Sequence, residues 1–300
     1  MVLPELLQSK TAEIVAIASA AMFPLGLIFL KKGYDHSTPL YGTLIVTAIN
    51  AVFLWIFALL FSSLPLTVIF SSAVVFFIIA GAIGHGIARL LQFTGVDKVG
   101  PARNTIALAT SALFGAVIAV LFRGEKWTLP IFLGTIAIVG GIAVLARESK
   151  KTKWNPTYLA LPITAAFLYG IMTNVYKAGL EKIPDAAIGA AVGLTAALFT
   201  LTVVAAASAV KEHGRIKIPS LGKAMPLFLA AGIINSVGLI LNFEAIKLGD
   251  VTVVFPLISA HALFAWVFGF LFLRQTERIS LHVVAGAVVV VAGIAMITVF

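Results

Sequence analysis

Cysteine is absent from the 300-residue chain, which excludes a disulfide framework, a thiolate metal site and a cysteine nucleophile. Charge is scarce as well, because only 11% of the residues are Asp, Glu, Lys or Arg, against about 25% in soluble globular domains. So few charged groups cannot cover a water-facing surface. With 61% hydrophobic residues and a mean hydropathy of +1.09, the chain is expected to be an integral membrane protein.

Motifs of hydrolases, zinc peptidases and nucleotide-driven pumps are missing too. The sequence contains no Gly-x-Ser-x-Gly, no His-Glu-x-x-His and no Gly-x-x-x-x-Gly-Lys-Ser/Thr. We therefore expect no enzyme activity, no cofactor and no metal site, and ATP-driven pumping within this chain is excluded. The net charge of +9 does not indicate nucleic acid as a partner, because Lys and Arg lie mostly in short junctions, where they contact anionic lipid headgroups.

The apolar residues form runs of roughly the 20 residues that a membrane-spanning helix needs. Ten runs are present, near 12–30, 40–61, 73–95, 102–122, 129–146, 158–176, 186–210, 225–246, 251–273 and 281–299. Short polar turns join them. The longest polar stretch, 147–153, separates the first five runs from the last five.

The second half of the chain repeats the first at an offset of about 150 residues. Identical pairs include Phe93/Phe243, Leu113/Leu263, Phe114/Phe264, Val117/Val267, Phe122/Phe272, Glu125/Glu277, Gly134/Gly286 and Gly141/Gly293. Each copy has five runs, an odd number, so the copies have opposite orientations in the bilayer, as in many secondary transporters. The sequence predicts an all-α integral membrane protein with ten transmembrane helices in two inverted five-helix repeats, 12–147 and 157–299, joined by a basic loop at 148–156.

The end of each copy resembles the EamA-like branch of the drug/metabolite transporter superfamily. The matching residues are Phe114–Ala119, Arg123–Lys126, Gly134 and Gly140–Gly141 in the first copy, and Phe264, Glu277–Arg278, Gly286 and Gly293 in the second. The resemblance implies a carrier of small metabolites, with a central cavity lined by helices one, three, four, six, eight and nine. Many relatives have Glu-Pro before the Phe-bearing stretch, whereas this chain has Ser111-Ala112 and His261-Ala262.

Positive charge predicts the orientation of the chain. With ten spans, the termini share one membrane face with the even-numbered junctions. That face holds only Lys10, Arg123, Lys126, Lys177, Lys182 and Lys247, and every other Lys and Arg except Arg89 lies on the opposite face. The positive-inside rule then places both termini outside the cytoplasm, opposite to the usual orientation of the family. We expect a multi-pass protein of the cell (inner or plasma) membrane.

Polar side chains within a span are costly to bury and are candidate functional residues. In the third run, His85, Arg89 and Gln92 stand at i, i+4 and i+7, on one face of a helix. An Arg at this depth presents five fixed donors that suit a carboxylate or phosphate. The alternative is an Arg that caps backbone carbonyls or pairs with a buried acid.

Further candidates for substrate binding occur on four other runs: Asn104, Ser111, Tyr169, Thr173, Asn235, Asn242, His261 and Trp266. Glu244, His85 and His261 are candidates for coupling or gating, since histidine titrates near pH 6.5. Other interpretations stay open. Glu244 could face lipid headgroups, the side-chain amides of Asn235 and Asn242 could form hydrogen bonds between helices, and each histidine could be a neutral, hydrogen-bonded residue of the core. We expect positions at which the copies agree to be scaffold, and positions at which they differ to bind substrate.

These observations predict a secondary, non-ATP transporter that moves small metabolites by alternating access. The expected substrate carries an anionic group, such as an amino acid or organic anion, near Arg89. Two alternatives are a flippase for a lipid-linked anionic headgroup and an intramembrane transferase with His85 as base. The expected partners are the small-molecule substrate and anionic lipid, and the oligomeric state, a homodimer included, is left open.

Overall fold

The computed structural model describes residues 2–34, 36–37, 39–99, 101–145, 155–211, 222–273 and 281–299. Within these ranges the chain forms ten helical rods and no strand. The rods are α1 (Val2–Tyr34), α2 (Pro39–Phe61), α3 (Val74–Ala80, Gly81–Ala88 and Arg89–Val99), α4 (Pro101–Ala109 and Ser111–Arg123), α5 (Leu129–Leu145), α6 (Ala160–Lys182), α7 (Ala186–Lys211), α8 (Met225–Leu248), α9 (Val251–Ser259 and His261–Leu273) and α10 (Leu281–Val299). Short 3₁₀ turns, Leu66–Phe70 and Pro156–Leu159, precede α3 and α6.

Eight of the rods contain a stretch long and apolar enough to cross a membrane, and α5 and α10 contribute shorter apolar helices. The 17 residues of α5 extend about 25 Å at 1.5 Å per residue, close to the roughly 30 Å hydrocarbon layer. Large apolar side chains such as Leu60, Phe70 and Phe122 are exposed on the outer surface, which suits contact with lipid. The predicted all-α, ten-helix membrane architecture is confirmed, whereas residues 148–154 of the predicted loop, with Glu277 and Arg278, lie outside the described residues.

Glycines at the α5–α10 contact establish that the repeats are inverted. A Cβ on Gly134 would lie 2.8 Å from the carbonyl oxygen of Gly293, and a Cβ on Gly141 would lie 2.9 Å from that of Gly286. The position further along α5 therefore meets the position earlier in α10, so the two helices are antiparallel. Since each is the fifth helix of its repeat, the repeats are antiparallel as well. Only glycine allows the backbones to approach this closely.

The same two-fold relation governs the other helix contacts. Helix α1 packs against α8 as its counterpart α6 packs against α3, and α1 contacts α9 as α6 contacts α4. Helices α2 and α7, which are equivalent to one another, pack together across the axis. The inner faces of the repeats therefore meet around a centre to which α1, α3, α4, α6, α8 and α9 all contribute.

Three of the central helices are irregular near their middle. Helix α3 is π-helical over Gly81–Ala88. The regular hydrogen bonding of α4 is interrupted at Thr110, and that of α9 at Ala260, which is the repeat equivalent at an offset of 150. In both, the N–H donates to the carbonyl three residues earlier at 3.2 Å. Broken helices inside a membrane are tolerated where they line a cavity.

Candidate substrate cavity

A cavity of about 300 Å³ lies at the centre of the bundle, between α1, α2, α3, α4, α6, α8 and α9. The structure brings these predicted site residues to its wall: His85, Arg89, Gln92, Ser111, Tyr169, Thr173, Asn235, Asn242 and His261. The resemblance did not imply a contribution from α2, which supplies Thr43 and Val46. The volume suits a small metabolite.

Arg89 is the only Asp, Glu, Lys or Arg on the cavity wall among the described residues. Tyr169 lines the same wall and donates at 2.8 Å to Oε1 of Gln92. With no carboxylate on this wall, the guanidinium produces a positive potential in a low-dielectric space, where an anion is attracted more strongly than in water.

The π segment brings His85 to the cavity and was not predicted from the sequence. Its glycines allow close packing against α7: a Cβ on Gly81 would lie 2.0 Å from the Gly193 carbonyl oxygen, and one on Gly86 would lie 2.9 Å from the Thr200 side chain. π-Helical turns inside α-helices are frequent at functional sites. The signal in the sequence was the glycine-rich stretch Gly81–Ala88, which gives α3 freedom to change its winding.

An aromatic cluster forms the wall beside His85. The ring of Tyr176 lies 4.4 Å from that of Phe243, and both rings lie 6.1 Å from the His85 ring. Phe243 is identical to its repeat partner Phe93, and both line the cavity. This pair therefore lies on the cavity wall although its two members are identical. Aromatic rings at this site offer a flat apolar surface next to the charge.

Part of the cavity wall follows the repeat. The lining pairs are His85/Asn235, Gln92/Asn242, Phe93/Phe243, Leu108/Ile258 and Ser111/His261 at an offset of 150, and Phe23/Tyr169, Leu27/Thr173 and Leu30/Tyr176 at 146. In each α1–α6 pair the α1 residue is apolar and the α6 residue carries a hydroxyl group. The repeat equivalent of Arg89 is Leu239, which is 3% exposed in the core, so the cavity charge belongs to one half alone.

Asn104, Glu244 and Trp266 are not brought to the cavity wall. Asn104 is buried, and its side-chain oxygen abuts Gly95, where a Cβ would lie 2.3 Å away. Glu244 forms an ion pair with Lys247 at 2.5 Å, one turn along α8, because i and i+3 share a helix face. Trp266 is half-buried on α9. Among the described residues, no cluster of His, Asp and Glu of the size needed to hold a metal ion is present.

The helix contacts around the cavity differ between the two membrane faces. At one face Lys10 Nζ, near the start of α1, donates to the Thr298 carbonyl at the end of α10 at 3.1 Å, and we name it the termini face. Helix α6 packs against α8 and α9 near it, whereas α1 makes at most marginal contact with each segment of α3 and of α4 in the described part of the chain. We call the contact of α6 with α8 and α9 the seal, and it has no equally extensive counterpart at the opposite face.

Lys177 lies at the sealed end. The residue is 8% exposed, and its Nζ donates to the carbonyls of Ile246 at 2.8 Å, Lys247 at 3.2 Å and Gly249 at 2.8 Å. The last carbonyls of a helix lack partners within the helix and carry partial negative charge. The ammonium therefore joins α6 to the C-terminus of α8, directly below the cavity-lining Ile246.

Acidic and basic side chains surround Lys177. Glu125 accepts from the Thr252 backbone N–H at 2.9 Å at the start of α9 and pairs with Arg123 at 3.2 Å. In the turn between α8 and α9, burial raises the pKa of the Asp250 carboxyl, and the nearby Glu125 carboxylate raises this pKa further, against the lowering effect of Lys177 and Arg123. The seal therefore contains ionisable groups from α4, α6 and the α8–α9 turn.

Comparison with known proteins agrees with this architecture. A model of the EamA-like transporter family matches residues 10–147 and again residues 156–299. A solved structure titled only as the crystal structure of a protein superposes with a TM-score of 0.75 over 96% of each chain, at 15% sequence identity. At this identity the likeness concerns the fold alone. No curated protein matches the chain.

Proposed function

Because the chain belongs to the EamA-like transporter family, and is therefore a multi-pass membrane transporter of small molecules, we propose that it is a secondary carrier of anionic metabolites that works by alternating access. The observation that carries the proposal is Arg89, the one charged side chain on the cavity wall in the described part of the chain. A guanidinium in this position binds a carboxylate or phosphate in a bidentate manner.

The two sides of the cavity favour a substrate with a charged and an apolar part. Gln92, Tyr169 and Thr173 lie with Arg89 on one side, whereas α1 presents Phe23 and other apolar residues on the other. The flat rings beside His85 extend this apolar surface. A carboxylate next to an apolar or aromatic body of metabolite size fits this division, as in organic anions and amino acids.

Alternating access is supported by the asymmetry of the helix contacts. Two inverted repeats of the same fold exchange conformations when the cavity opens to the other side, so the contacts of one repeat indicate those of its partner in the alternate state. In the present state α6 is packed against α8 and α9, and α1 makes at most marginal contact with each segment of α3 and of α4 in the described part of the chain. The carrier is then closed at the termini face, and the charge bias described above makes the opposite face the cytoplasmic one.

Transport in proteoliposomes tests the proposed function. Proteoliposomes that contain the purified protein are loaded with radiolabelled amino acids, organic anions or nucleotide sugars. Exchange of each solute is measured with and without a proton gradient. We expect saturable exchange of at least one anionic solute without ATP. If no solute moves and a fluorescent anionic lipid changes leaflet, the flippase alternative replaces the carrier; conversion of a lipid substrate identifies an intramembrane transferase.

A further inference from the structure

We propose that Lys177 is the gate residue that keeps the cavity closed at the termini face, and that Lys31 is its counterpart, which closes the opposite face in the alternate state. This inference rests on the proposed alternating-access function. It concerns two side chains outside the cavity wall, on the paired helices α6 and α1.

Lys177 has the contacts that a gate residue needs. All three of its hydrogen bonds reach carbonyls at the C-terminal end of α8 or the following turn, which matches the three donors of an ammonium group. Ile246, one of the acceptors, also lines the cavity. Separation of α6 from α8 at this point would open a path from the cavity to the termini face and would expose the ammonium and its acceptors to water.

Lys31 occupies the corresponding place in the first repeat. The segment Lys31–Tyr34 aligns with Lys177–Leu180 at the offset of 146 that also relates the cavity-lining pairs of α1 and α6. Lys31 is exposed and has neither a hydrogen bond nor an ion pair with the described residues. Its helix makes at most marginal contact with each segment of α3 in the described part of the chain. A lysine without a partner therefore lies where the bundle is open, and its buried equivalent lies where the bundle is closed.

The repeat also identifies the acceptors of Lys31 in the alternate state. Ile246, Lys247 and Gly249 correspond at an offset of 150 to Val96, Asp97 and Val99, at the C-terminal end of α3. The carbonyls of this last turn lack partners within their helix and form the negative end of its dipole. The Val99 carbonyl accepts from Arg103 Nη1 at 3.1 Å, which leaves its second lone pair for another donor. When α1 closes over α3, Lys31 is expected to bind them as Lys177 binds the end of α8.

Accessibility of a single cysteine tests both roles, because the chain contains no other cysteine. Ser259 lines the cavity, and among the described residues its hydroxyl bonds only to the Phe255 carbonyl of its own helix, so Ser259→Cys is a mild substitution that reports access to the cavity. A membrane-impermeant maleimide is added to one face or the other of oriented proteoliposomes. The otherwise unchanged protein is expected to react mainly from the face opposite the termini.

Two gate variants are expected to have opposite effects. Lys177→Met weakens closure at the termini face, so labelling from that face is expected to rise at least tenfold. Lys31→Met destabilises the alternate state, so labelling from the termini face is expected to fall and solute exchange to slow at least tenfold, while substrate still binds. Lys182→Met and Lys32→Met are matched controls, because each removes an exposed lysine near the gate lysine of the same helix, and both are expected to leave labelling unchanged.

The outcomes separate the gate from the transport function. If Lys177 only caps the end of α8 and takes no part in opening, Lys31→Met is expected to have no effect. Unchanged exchange and labelling in Lys31→Met would therefore overturn the proposed role of Lys31 at the opposite face. If folded Lys177→Met protein is labelled no faster from the termini face, its gate role fails. Should Lys177→Met not fold, Lys31→Met decides, since Lys31 has no hydrogen bond or ion pair with the described residues to lose. If the gate variants alter labelling but the protein moves no solute, the gate proposal stands and the carrier proposal fails. If the protein transports solute but the variants leave labelling unaltered, the carrier proposal stands and the gate proposal fails.

Discussion

Arg89 offers the sharpest test of how the cavity recognises its substrate. Replacement by Met keeps an unbranched chain of similar length on the wall and removes the guanidinium. Hydrogen bonds to a charged group are worth about 1.5–3 kcal/mol each, so loss of even one of the two bonds of a bidentate contact, roughly 2 kcal/mol, weakens binding at least about 30-fold, at 1.4 kcal/mol per factor of ten. Arg89→Lys retains the charge without the planar fork, and we expect an intermediate loss of about tenfold.

Binding is measured by isothermal titration calorimetry on purified protein, with the best anionic substrate from the transport panel and with its neutral amide. The amide is expected to bind the original protein and Arg89→Met with similar affinity, because it offers no charge to the guanidinium. Lys32→Met, which removes an exposed charge from α1, is expected to bind both ligands normally. Equal affinity of Arg89→Met and the original protein for the anion would refute the proposed contact, and so would an equal loss for the amide.

Three further predictions concern the scaffold, the seal and the orientation. Gly141→Val places side-chain atoms against the Gly286 carbonyl and is expected to destabilise the fold by about 1–3 kcal/mol through overpacking, measured as a lower unfolding temperature. Gly140→Val is the control, because a Cβ at Gly140 meets nothing within 4 Å. Equal effects of the two substitutions would contradict the contact. Since the pKa of Asp250 is raised in the sealed state, its stabilising effect on that state is complete below the ordinary pKa of Asp, near 3.9, and is lost as the pH rises through the raised value. Labelling of the cavity cysteine is compared between the two faces at each pH, because the reactive thiolate fraction is then the same for both. Acid is expected to lower the share of labelling from the termini face, and Asp250→Asn is expected to abolish this change. Ser149→Cys is expected to be protected from an impermeant maleimide added to intact cells, and rapid labelling would reverse the predicted orientation.

The membrane class and the helix number could be predicted from the sequence because both depend on local properties. A run of about 20 apolar residues forms a helix in lipid wherever it occurs, since its backbone groups have no other partners there. The repeat required only the alignment of pairs such as Gly134/Gly286 and Gly141/Gly293. Their structural meaning, an antiparallel contact between α5 and α10, agrees with the inversion predicted from an odd number of helices per repeat.

The candidate site could be predicted in part. Polar residues such as His85, Arg89 and Asn242 stand out in an apolar helix, and the structure brings them to one cavity. Phe243 did not stand out, because an aromatic residue in a membrane helix packs against lipid, protein or a cavity with the same local sequence. Asn104 stood out equally, yet its polar group abuts the backbone at Gly95. A polar residue in a span indicates that a partner is needed and does not identify that partner.

Composition and pattern thus determined that this chain crosses a membrane ten times in two inverted halves, and that Arg89 is a charge in the first half without an equivalent in the second. Only the tertiary structure decided that Lys177 is buried against the end of α8 while its equivalent Lys31 is exposed. The two lysines have similar local sequences, so the difference cannot arise from propensity or hydropathy. It depends on which helices are in contact, and in a bundle of two inverted repeats that is a property of the conformational state.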